Sequence, residues 1–385
     1  MAQVQGYCDG RFSKVRELMR GFIESGEEVG ASLCVNLQGE DVVDIWGGYA
    51  DASNNTPWEK DTIVNVFSTT KIVTNIACLV LISRGKLDPQ DTVAKHWPEF
   101  GENGKADITI AQVLSHTAGV CGWEEKMELE DVCDSERAAS KLAKQAPWWT
   151  PGTKLGYHAV TQGAMVGEIV RRIAGKSIQQ FVEDEMAGPL GADFQLGARK
   201  EDRPRVGPVI APPGPPIQEV LAQMGDSIAT KTLLNPFLDA PAANTDIWMS
   251  STLGSLNGHT NARALAKLVS CLSLRGMSAD GRVELLSPDT VSTALAEHAS
   301  GVDMVTGGHA RRGLGVYLAS PGTTAGWLPD GKVCWGSGWG GSAVVMDADR
   351  GLTIAYAMNK MASGENLSAK AYITAAYEAL GVKID

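Results

Sequence analysis

The stretch VFSTTKIV, residues 66–73, connects an apolar run typical of a strand to an apolar run typical of a helix, and the interpretation of the whole chain depends on it. Ser68 and Lys71 stand three residues apart here, and on a helix that spacing places both side chains on one face. A serine hydroxyl becomes a useful nucleophile when a neighbouring group accepts its proton, and a lysine can do so if burial lowers its pKa. The stretch therefore predicts either a nucleophile with its base or an ordinary helix start, with Ser68 as the N-cap and Lys71 solvated.

The helix expected after Ser68 favours the first interpretation. Apolar residues recur at helical spacing as far as Arg84, and Gly85 supplies a C-terminal stop. Nearly every side of this helix is apolar, which predicts a buried central helix with little solvated surface for Lys71. The N–H groups at its start would stabilise negative charge that develops beside the serine.

A second candidate is Tyr157, in the turn-rich stretch PGTKLGYHAVTQG, residues 151–163. A tyrosine on a connecting loop can relay a proton between nucleophile and leaving group, provided that a nearby lysine charge lowers its pKa. The alternative is a tyrosine that packs the turn against the core. His158 competes for the role of base and ranks second, because adjacent residues rarely point at the same place.

A third candidate is the glycine-rich stretch WGSGWGGS, residues 335–342. Residues 336–341 match the G-x-G-x-x-G pattern, but a strand-like run follows where a dinucleotide-binding motif requires a helix. Glycines in a strand allow a ligand to approach the backbone closely, so an N–H group of this stretch could bind an oxyanion. The alternative is a glycine-rich hairpin turn.

Strand-like runs lie at both ends of the chain, and periodic helical runs lie between them. This order predicts an α+β fold in which residues 1–85 and 306–385 form an antiparallel sheet flanked by helices. Residues 86–305 are expected to form an inserted, mainly helical domain. Within it, the proline-rich residues 203–220 are expected to form a lid or pocket wall, or else a surface insertion.

Composition restricts the location and the partners of the protein. The chain has 385 residues and a formal charge of −11, which disfavours nucleic acid and anionic membrane surfaces as partners. No apolar stretch approaches the ~20 residues that cross a bilayer, and the N-terminus as written lacks the pattern of a secretory signal. The seven cysteines are scattered and never spaced as C-x-x-C, which predicts reduced thiols in a cytoplasmic protein. We expect a neutral or weakly charged small molecule as the partner.

Several motifs of other enzyme classes are absent from the sequence. It contains no G-x-S-x-G, H-E-x-x-H or G-x-x-x-x-G-K-[ST], which disfavours α/β-hydrolases, zinc proteases and P-loop proteins. We expect neither a metal nor a cofactor.

The three candidate stretches occur together with other short phrases, in one order along most of the chain. The set resembles the serine β-lactamase and penicillin-binding-protein superfamily, and more closely class C β-lactamases and family VIII carboxylesterases. The resemblance implies a mixed α/β domain beside a helical domain, with the site in the groove between them. It also implies that Ser68 is the nucleophile that becomes acylated, and that Lys71 and Tyr157 move its proton. The phrases are WGGYAD, VFSTTKIV, KLDPQDTVAKHWPEF, LSHTAG, PGTKLGYHAVTQG and AMNKM.

Two departures from class C β-lactamases bear on the substrate. Their Tyr-x-Asn motif is Tyr157-His158-Ala159 here, and their Lys-Thr-Gly motif is absent. The place of Lys-Thr-Gly falls on Gly336-Ser337-Gly338 or on Trp339-Gly340-Gly341, depending on register. Without that lysine the expected cation for an antibiotic's carboxylate is missing, and a tryptophan would offer apolar surface instead.

We therefore expect a serine hydrolase that acts on an ester, lactone or thioester through an acyl-Ser68 intermediate. The oxyanion would be held by the Ser68 N–H and by one from the glycine-rich strand, at Trp339 or Ser342, with Gly340 and Gly341 beside it. The alternatives are an acyltransferase of secondary-metabolite biosynthesis, a β-lactamase or DD-peptidase, and a non-catalytic scaffold on a hydrolase fold. The sequence makes no prediction of oligomeric state.

Overall fold

Strands from both ends of the chain come together in the computed structural model, which describes residues 3–53, 55–212, 219, 221, 223, 225–364 and 366–384. In chain order, the strands of these residues are β1 (Gln5–Cys8), β2 (Gly30–Leu37), β3 (Glu40–Gly48), β4 (Ile63–Asn65), β5 (Phe194–Leu196), β6 (Val206–Gly207), β7 (Gly258–Thr260), β8 (Ala299–Val302), β9 (His309–Arg312), β10 (Tyr317–Leu318), β11 (Val333–Ser337), β12 (Ala343–Asp347) and β13 (Leu352–Met358). The main sheet has the spatial order β1-β3-β2-β13-β12-β11-β10-β9-β8, and every neighbouring pair in it is antiparallel. A smaller sheet has the order β5-β7-β4-β6. The predicted α+β fold with an antiparallel sheet is confirmed.

Helices cover the main sheet and form most of the regular secondary structure between β4 and β8. In chain order, the α-helices of the described residues are Ser13–Ser25, Thr70–Ser83, Val93–His96, Ile110–Leu114, Leu129–Cys133, Ser135–Lys144, Thr161–Ala174, Ile178–Val182, Gly188–Leu190, Ile228–Leu234, Asp246–Ser250, Ala262–Val269, Pro288–Leu295 and Leu367–Glu378. A π-helical turn spans Glu183–Ala187. Short 3-10 helices are Gly10–Phe12, Phe67–Thr69, Pro98–Gly101, Lys200–Arg205, Ala240–Asn244 and Ser270–Leu272.

The central strands β2 and β13 are buried because helices pack on both faces of the sheet. On one face, the Ser32 hydroxyl accepts a hydrogen bond from the first residue of the helix Ala262–Val269. On the other face, Tyr356 of β13 contacts Tyr372 of the last helix, with ring centroids 5.4 Å apart. Successive strand residues point to opposite faces, so a strand covered on both sides is apolar at nearly every position.

The helix Thr70–Ser83, the central helix, is buried from its first residue to Leu81. It contacts the helix Thr161–Ala174 of the helical part and the helices Ala262–Val269 and Pro288–Leu295. Its nearly continuous apolar surface follows from this position, and the predicted buried helix is confirmed. The central helix therefore carries its N-terminal residues into the junction between the sheet and the helical part.

The main sheet begins earlier in the chain than the expected domain boundary at residue 306. β8 lies before that boundary and pairs with β9 over four residue pairs, from Ala299↔Arg312 to Val302↔His309. The helix Ala262–Val269 also packs on the main sheet, against β2 and β13. The sequence of β8 is short and lacks apolar alternation, so its pairing depends on the hairpin that it forms with β9. The remainder of the division into two domains stays a prediction.

Part of the proline-rich stretch cannot be compared with its prediction. Residues 213–218 and 220 lie outside the described residues, whereas β6 at its start is a strand of the smaller sheet. Leu221, directly after it, is buried and lines a cavity described below. Among the described residues, no helix combines the length and the apolar character needed to span a membrane.

Candidate active site

Ser68 lies in the 3-10 turn Phe67–Thr69, which leads directly into the central helix. The preceding residue Phe67 has a φ of 42°, in the left-handed region that a non-glycine residue rarely adopts. Its ring packs against Trp248 and Trp339, with centroid distances of 6.1 and 5.4 Å. These contacts hold the strained turn and thereby fix the position of the Ser68 hydroxyl.

Lys71 is buried, and its Nζ has three close neighbours. Ser68 Oγ lies 3.1 Å away, the Ala159 carbonyl oxygen 2.7 Å and the Ser255 carbonyl oxygen 3.1 Å. Burial, and then the positive charge of Arg312, hold the pKa of Lys71 well below its usual value. Carbonyls only accept hydrogen bonds, so a neutral amine directs its two N–H groups to them. Its lone pair then faces Ser68 Oγ, in position to accept the serine proton.

Tyr157 lies beside this pair, on the loop before the helix Thr161–Ala174. Its ring centroid is 4.8 Å from Lys71 Nζ, and its backbone N–H donates to Asp303 Oδ1 at 3.0 Å. Burial raises the pKa of Tyr157 above its usual value, although a hydrogen bond with Ser68 acts in the opposite direction. The expectation that a lysine charge lowers this pKa is therefore wrong, because burial outweighs the neighbouring charges. Tyr157 is a neutral phenol that can donate a proton.

A buried ion pair supports Tyr157, and sequence reasoning missed it. Asp303 is 0% exposed and Arg312 1%, and the guanidinium donates to the carboxylate at 3.1 Å. The Arg312 guanidinium also stacks on the Tyr317 ring, 3.4 Å from its centroid. Asp303 directly follows β8, in the loop of the β8–β9 hairpin, and Arg312 ends β9, so neither lies in a periodic segment that marks a core position. The pair brings a positive charge close to Lys71 and fixes the Tyr157 backbone.

His158 is turned away from Ser68. Its Nδ1 faces the Gly156 carbonyl oxygen at 2.7 Å, and its side chain lines neither of the cavities that border the serine. Burial lowers its pKa to about 4. The backbone N–H of His158 donates to His116 Nδ1 at 3.0 Å, and the His116 ring lies 5.1 Å from the Tyr157 ring. The two histidines thus support the Tyr157 loop from behind.

The glycine-rich stretch forms the hairpin between β11 and β12, and the candidate residues Trp339 and Ser342 lie in different parts of it. Trp339 and Gly340 lie in the turn, and Gly341 follows with a φ of 124°. Ser342 is buried, and its hydroxyl donates to the Val66 carbonyl oxygen at 2.8 Å and lies 2.9 Å from Thr69 Oγ1. Ser342 therefore ties the hairpin to the segment that carries the nucleophile.

Ser337 is the last residue of β11, and its backbone faces the cavity that Ser68 borders. Gly338 donates its N–H to the Ser342 carbonyl oxygen across the hairpin at 2.8 Å. N–H groups of successive strand residues point to opposite edges, so the Ser337 N–H points away from β12. On that edge β10 pairs with β11 only as far as Tyr317↔Trp335, and Ser337 lines a cavity together with Ser68. The Ser337 N–H thus points toward the cavity that Ser68 borders.

Gly336 allows this strand to lie close to the central helix. A Cβ atom at Gly336 would come within 2.5 Å of the Ile72 side chain, which real side chains do not tolerate. The glycine in β11 is thus required by the close approach of strand and helix, and that approach places Ser337 near Ser68.

Two cavities of different character border both Ser68 and Tyr157. The larger one, which we call the apolar cavity, has a volume of about 190 Å³ that the centre of a water molecule can occupy. The smaller one, which we call the polar chamber, has a corresponding volume of about 10 Å³. Lys71 and Arg312 also border it. The apolar cavity is lined mainly by Phe67, Leu233, Phe237, Leu238, Trp248 and Trp339.

Comparison with known proteins relates this arrangement to one family. The family model described as Beta-lactamase matches residues 15–378. The Esterase/beta-lactamase LipL of Mycobacterium tuberculosis is 31% identical over 303 residues, which are 75% of this chain and 68% of that protein. The structure of a family VIII carboxylesterase is 34% identical, has a TM-score of 0.90, and covers 98% of this chain and 99% of its own. A penicillin-binding protein homologue from Caulobacter crescentus is 32% identical with a TM-score of 0.89 and the same coverage, 98% and 99%. The family match runs through nearly the whole chain and the fold is shared, so the chain belongs to the β-lactamase family.

Proposed function

We propose that the protein is a serine esterase that works through an acyl-Ser68 intermediate. The observation that carries this proposal is the contact of 3.1 Å between Lys71 Nζ and Ser68 Oγ, in which two backbone carbonyls orient the amine. A lowered pKa favours the neutral form of a buried amine, and an adjacent neutral amine is the base that a serine needs in order to attack a carbonyl carbon.

In the acylation step, Lys71 accepts the proton of Ser68 while Oγ forms a bond to the carbonyl carbon of the ester. The negative charge that develops on the carbonyl oxygen is stabilised by the N–H groups of Ser68 and Ser337. We propose Ser337 in place of Trp339 and Ser342. Trp339 lies in the hairpin turn, and Ser342 is buried behind the nucleophile, whereas Ser337 borders the same cavity as Ser68.

Collapse of the tetrahedral intermediate breaks the bond to the alcohol and requires a proton on the leaving oxygen. Tyr157 donates this proton, because its raised pKa keeps the phenol neutral, and Lys71 returns a proton to Tyr157. The ion pair of Asp303 and Arg312 holds the tyrosine in place through its backbone. The site then contains acyl-Ser68 and a neutral Lys71.

The apolar cavity indicates the class of substrate. Its lining is aromatic and aliphatic, and an organic group of moderate size without charge would fill it. Two of the similar proteins are an esterase/beta-lactamase and a family VIII carboxylesterase by name, which supports a small ester as substrate. A β-lactam is a poorer candidate, because its carboxylate would find no cationic side chain among the described residues that line the apolar cavity.

Ser68→Ala tests the proposal. We expect hydrolysis of p-nitrophenyl butyrate to fall by roughly 1,000-fold or more, because the variant lacks the hydroxyl that carries the acyl chain. The melting temperature should stay close to that of the parent. A fluorophosphonate probe should label the parent and the exposed-serine control Ser25→Ala, but not Ser68→Ala.

Retained esterase activity in Ser68→Ala would contradict the assignment. Failure of the probe to label the parent protein, together with no turnover of esters, would instead support the non-catalytic scaffold.

A further inference from the structure

The polar chamber has the size and the chemistry of a site for one water molecule. Its free volume of about 10 Å³ for the centre of a water molecule is close to the smallest volume that holds one. Ser68, Lys71 and Tyr157 border it, and Ser337 closes one side. A buried water also needs two to four polar partners, and the chamber provides them.

Two buried polar atoms of residues that line the chamber have no hydrogen-bond partner among the described residues. They are Asn75 Oδ1, an acceptor, and Arg312 Nε, a donor. The orientation of the Asn75 amide is determined, because its Nδ2 donates to the Gly315 carbonyl oxygen at 2.9 Å. An unpaired buried polar atom destabilises the folded protein, so one acceptor and one donor at the same chamber indicate a ligand that both donates and accepts. Water meets that requirement.

We propose that the polar chamber binds one water molecule between Asn75 and Arg312, and that this water hydrolyses acyl-Ser68. The proposal rests on the esterase function proposed above. The water oxygen bonds to the carbonyl carbon of the acyl group, and its proton passes to Lys71, directly or through Tyr157. The bond between that carbon and Ser68 Oγ then breaks, Oγ takes the proton from Lys71, and the free acid leaves. No other reactant is required.

The separation of the two cavities determines the fate of the acyl group. The apolar cavity takes the organic part of the ester, whereas the chamber is too small for anything larger than water. Water therefore has its own position beside the acyl-enzyme, and an alcohol must reach the ester through the apolar cavity. In this protein hydrolysis is favoured over transfer to an alcohol.

The variant Asn75→Leu tests the proposal, because it removes the acceptor and keeps a side chain of similar size. With p-nitrophenyl butyrate, we expect the rate of the first turnover, which reports acylation, to stay within about twofold of the rate in the parent. Steady-state hydrolysis should fall by about tenfold or more, the equivalent of one lost hydrogen bond. Intact-mass spectrometry should show butyryl-Ser68 accumulating, and added butanol should restore turnover as butyl butyrate.

Gln162→Leu is a matched control. Gln162 is also a buried amide with an unpartnered oxygen, and its Nε2 also donates to a backbone carbonyl, but it does not line the chamber. This variant should hydrolyse the acyl-enzyme at the rate of the parent. Equal loss in both variants, or unchanged deacylation in Asn75→Leu, would overturn the water site and leave the esterase proposal standing.

If Asn75→Leu does not fold, a crystal structure of the parent butyryl-enzyme tests whether the chamber holds the water molecule. We expect an ordered water within hydrogen-bond distance of Asn75 Oδ1 and Arg312 Nε. A dry chamber in that structure would overturn the proposal. A parent enzyme that is never acylated would contradict the esterase function itself and this inference with it.

Discussion

At the scale of single residues, two buried lysines of this chain illustrate how the backbone determines the role of an amine. Lys105 Nζ donates to three backbone carbonyls, those of Glu102, Ala143 and Gln145. Three acceptors suit an ammonium group, which has three N–H bonds. Lys71 has two carbonyls and a hydroxyl, so a neutral amine satisfies its surroundings equally well. The same residue type therefore suits a structural cation in one place and, in the proposed mechanism, a base in the other.

The pH dependence of ester hydrolysis should report the state of Lys71. Activity requires the neutral amine, so kcat/KM should rise with pH through the pKa of Lys71 and then level off. Because burial and the charge of Arg312 hold that pKa well below 10.5, the midpoint should lie far to the acid side of 10.5. Tyr157 must stay protonated, and its raised pKa keeps the plateau intact at alkaline pH. The measurement is kcat/KM for p-nitrophenyl butyrate between about pH 5 and pH 10.

Lys105→Arg should leave this midpoint unchanged, because Lys105 lies outside the site. A midpoint close to 10.5 in the parent would mean that Lys71 is an ordinary ammonium group and not the base.

At the scale of elements, the hairpin of β11 and β12 and the turn before the central helix form one unit. Ser342 joins them through the Val66 carbonyl and Thr69, on either side of the nucleophile in sequence. Gly336 lets the strand approach the helix at Ile72. The distance between the two proposed oxyanion donors, the N–H groups of Ser68 and Ser337, thus depends on contacts that no substrate touches.

Ser342→Ala should disconnect the hairpin from the nucleophile. We expect stability to fall by about 1–3 kcal/mol, because the Val66 carbonyl and Thr69 lose the Ser342 hydroxyl as a partner. We expect kcat to fall by about tenfold with little change in KM. The readouts are the melting temperature and the kinetics of p-nitrophenyl butyrate hydrolysis.

Ser273→Ala is the matched control for Ser342→Ala. Ser273 is equally buried, and its hydroxyl bonds the Ser270 carbonyl at 3.0 Å and Thr353 Oγ1 at 2.7 Å, away from the site. It should lose similar stability and keep its turnover. If both variants keep full activity, Ser342 has a structural role only.

The sequence predicts the helices and strands better than it predicts how they pair and pack against one another. Ser68 and Lys71 could be predicted because i, i+3 spacing on a helix brings their side chains together whatever the remainder of the fold. Asn75 follows Lys71 by four residues and was within reach of the same argument. Ser337 could not be chosen over Ser342, because the position of the hairpin turn determines which N–H groups face outward. Arg312 joins Tyr157 only through the pairing of β8, β9 and β10, which no local pattern indicates.

At the scale of the whole molecule, a buried carboxyl connects three distant segments. Glu28, just before β2, accepts hydrogen bonds from Tyr356 of β13 at 2.6 Å and from Tyr372 of the last helix at 2.9 Å. Burial raises the pKa of Glu28 to about 7, even though both tyrosines stabilise the charged form. The folded protein therefore favours the protonated form of Glu28 more than the unfolded chain does.

Glu28→Gln should make the protein more stable at alkaline pH. A carboxyl with a raised pKa in the folded state contributes its stability below about pH 4.5, and this contribution is lost as the pH rises through about 7. The amide keeps an oxygen acceptor and carries no charge, so the gain above pH 7 should approach roughly 3 kcal/mol. The measurement is the free energy of unfolding in urea at pH 5 and pH 8. The exposed control Glu17→Gln should show no such difference, and an equal gain at both pH values for Glu28→Gln would contradict the argument.

The pairing of β2 with β13 has a consequence for the synthesis of the protein. Ser68 and Lys71 leave the ribosome early, but Ser337, Ser342 and β13 follow more than 260 residues later. Such distant pairings form slowly, because a long loop must close before they gain any contacts. A nascent chain would therefore carry Ser68 without Ser337 for most of its synthesis, and the proposed esterase activity would arise only after the last strands have joined the sheet.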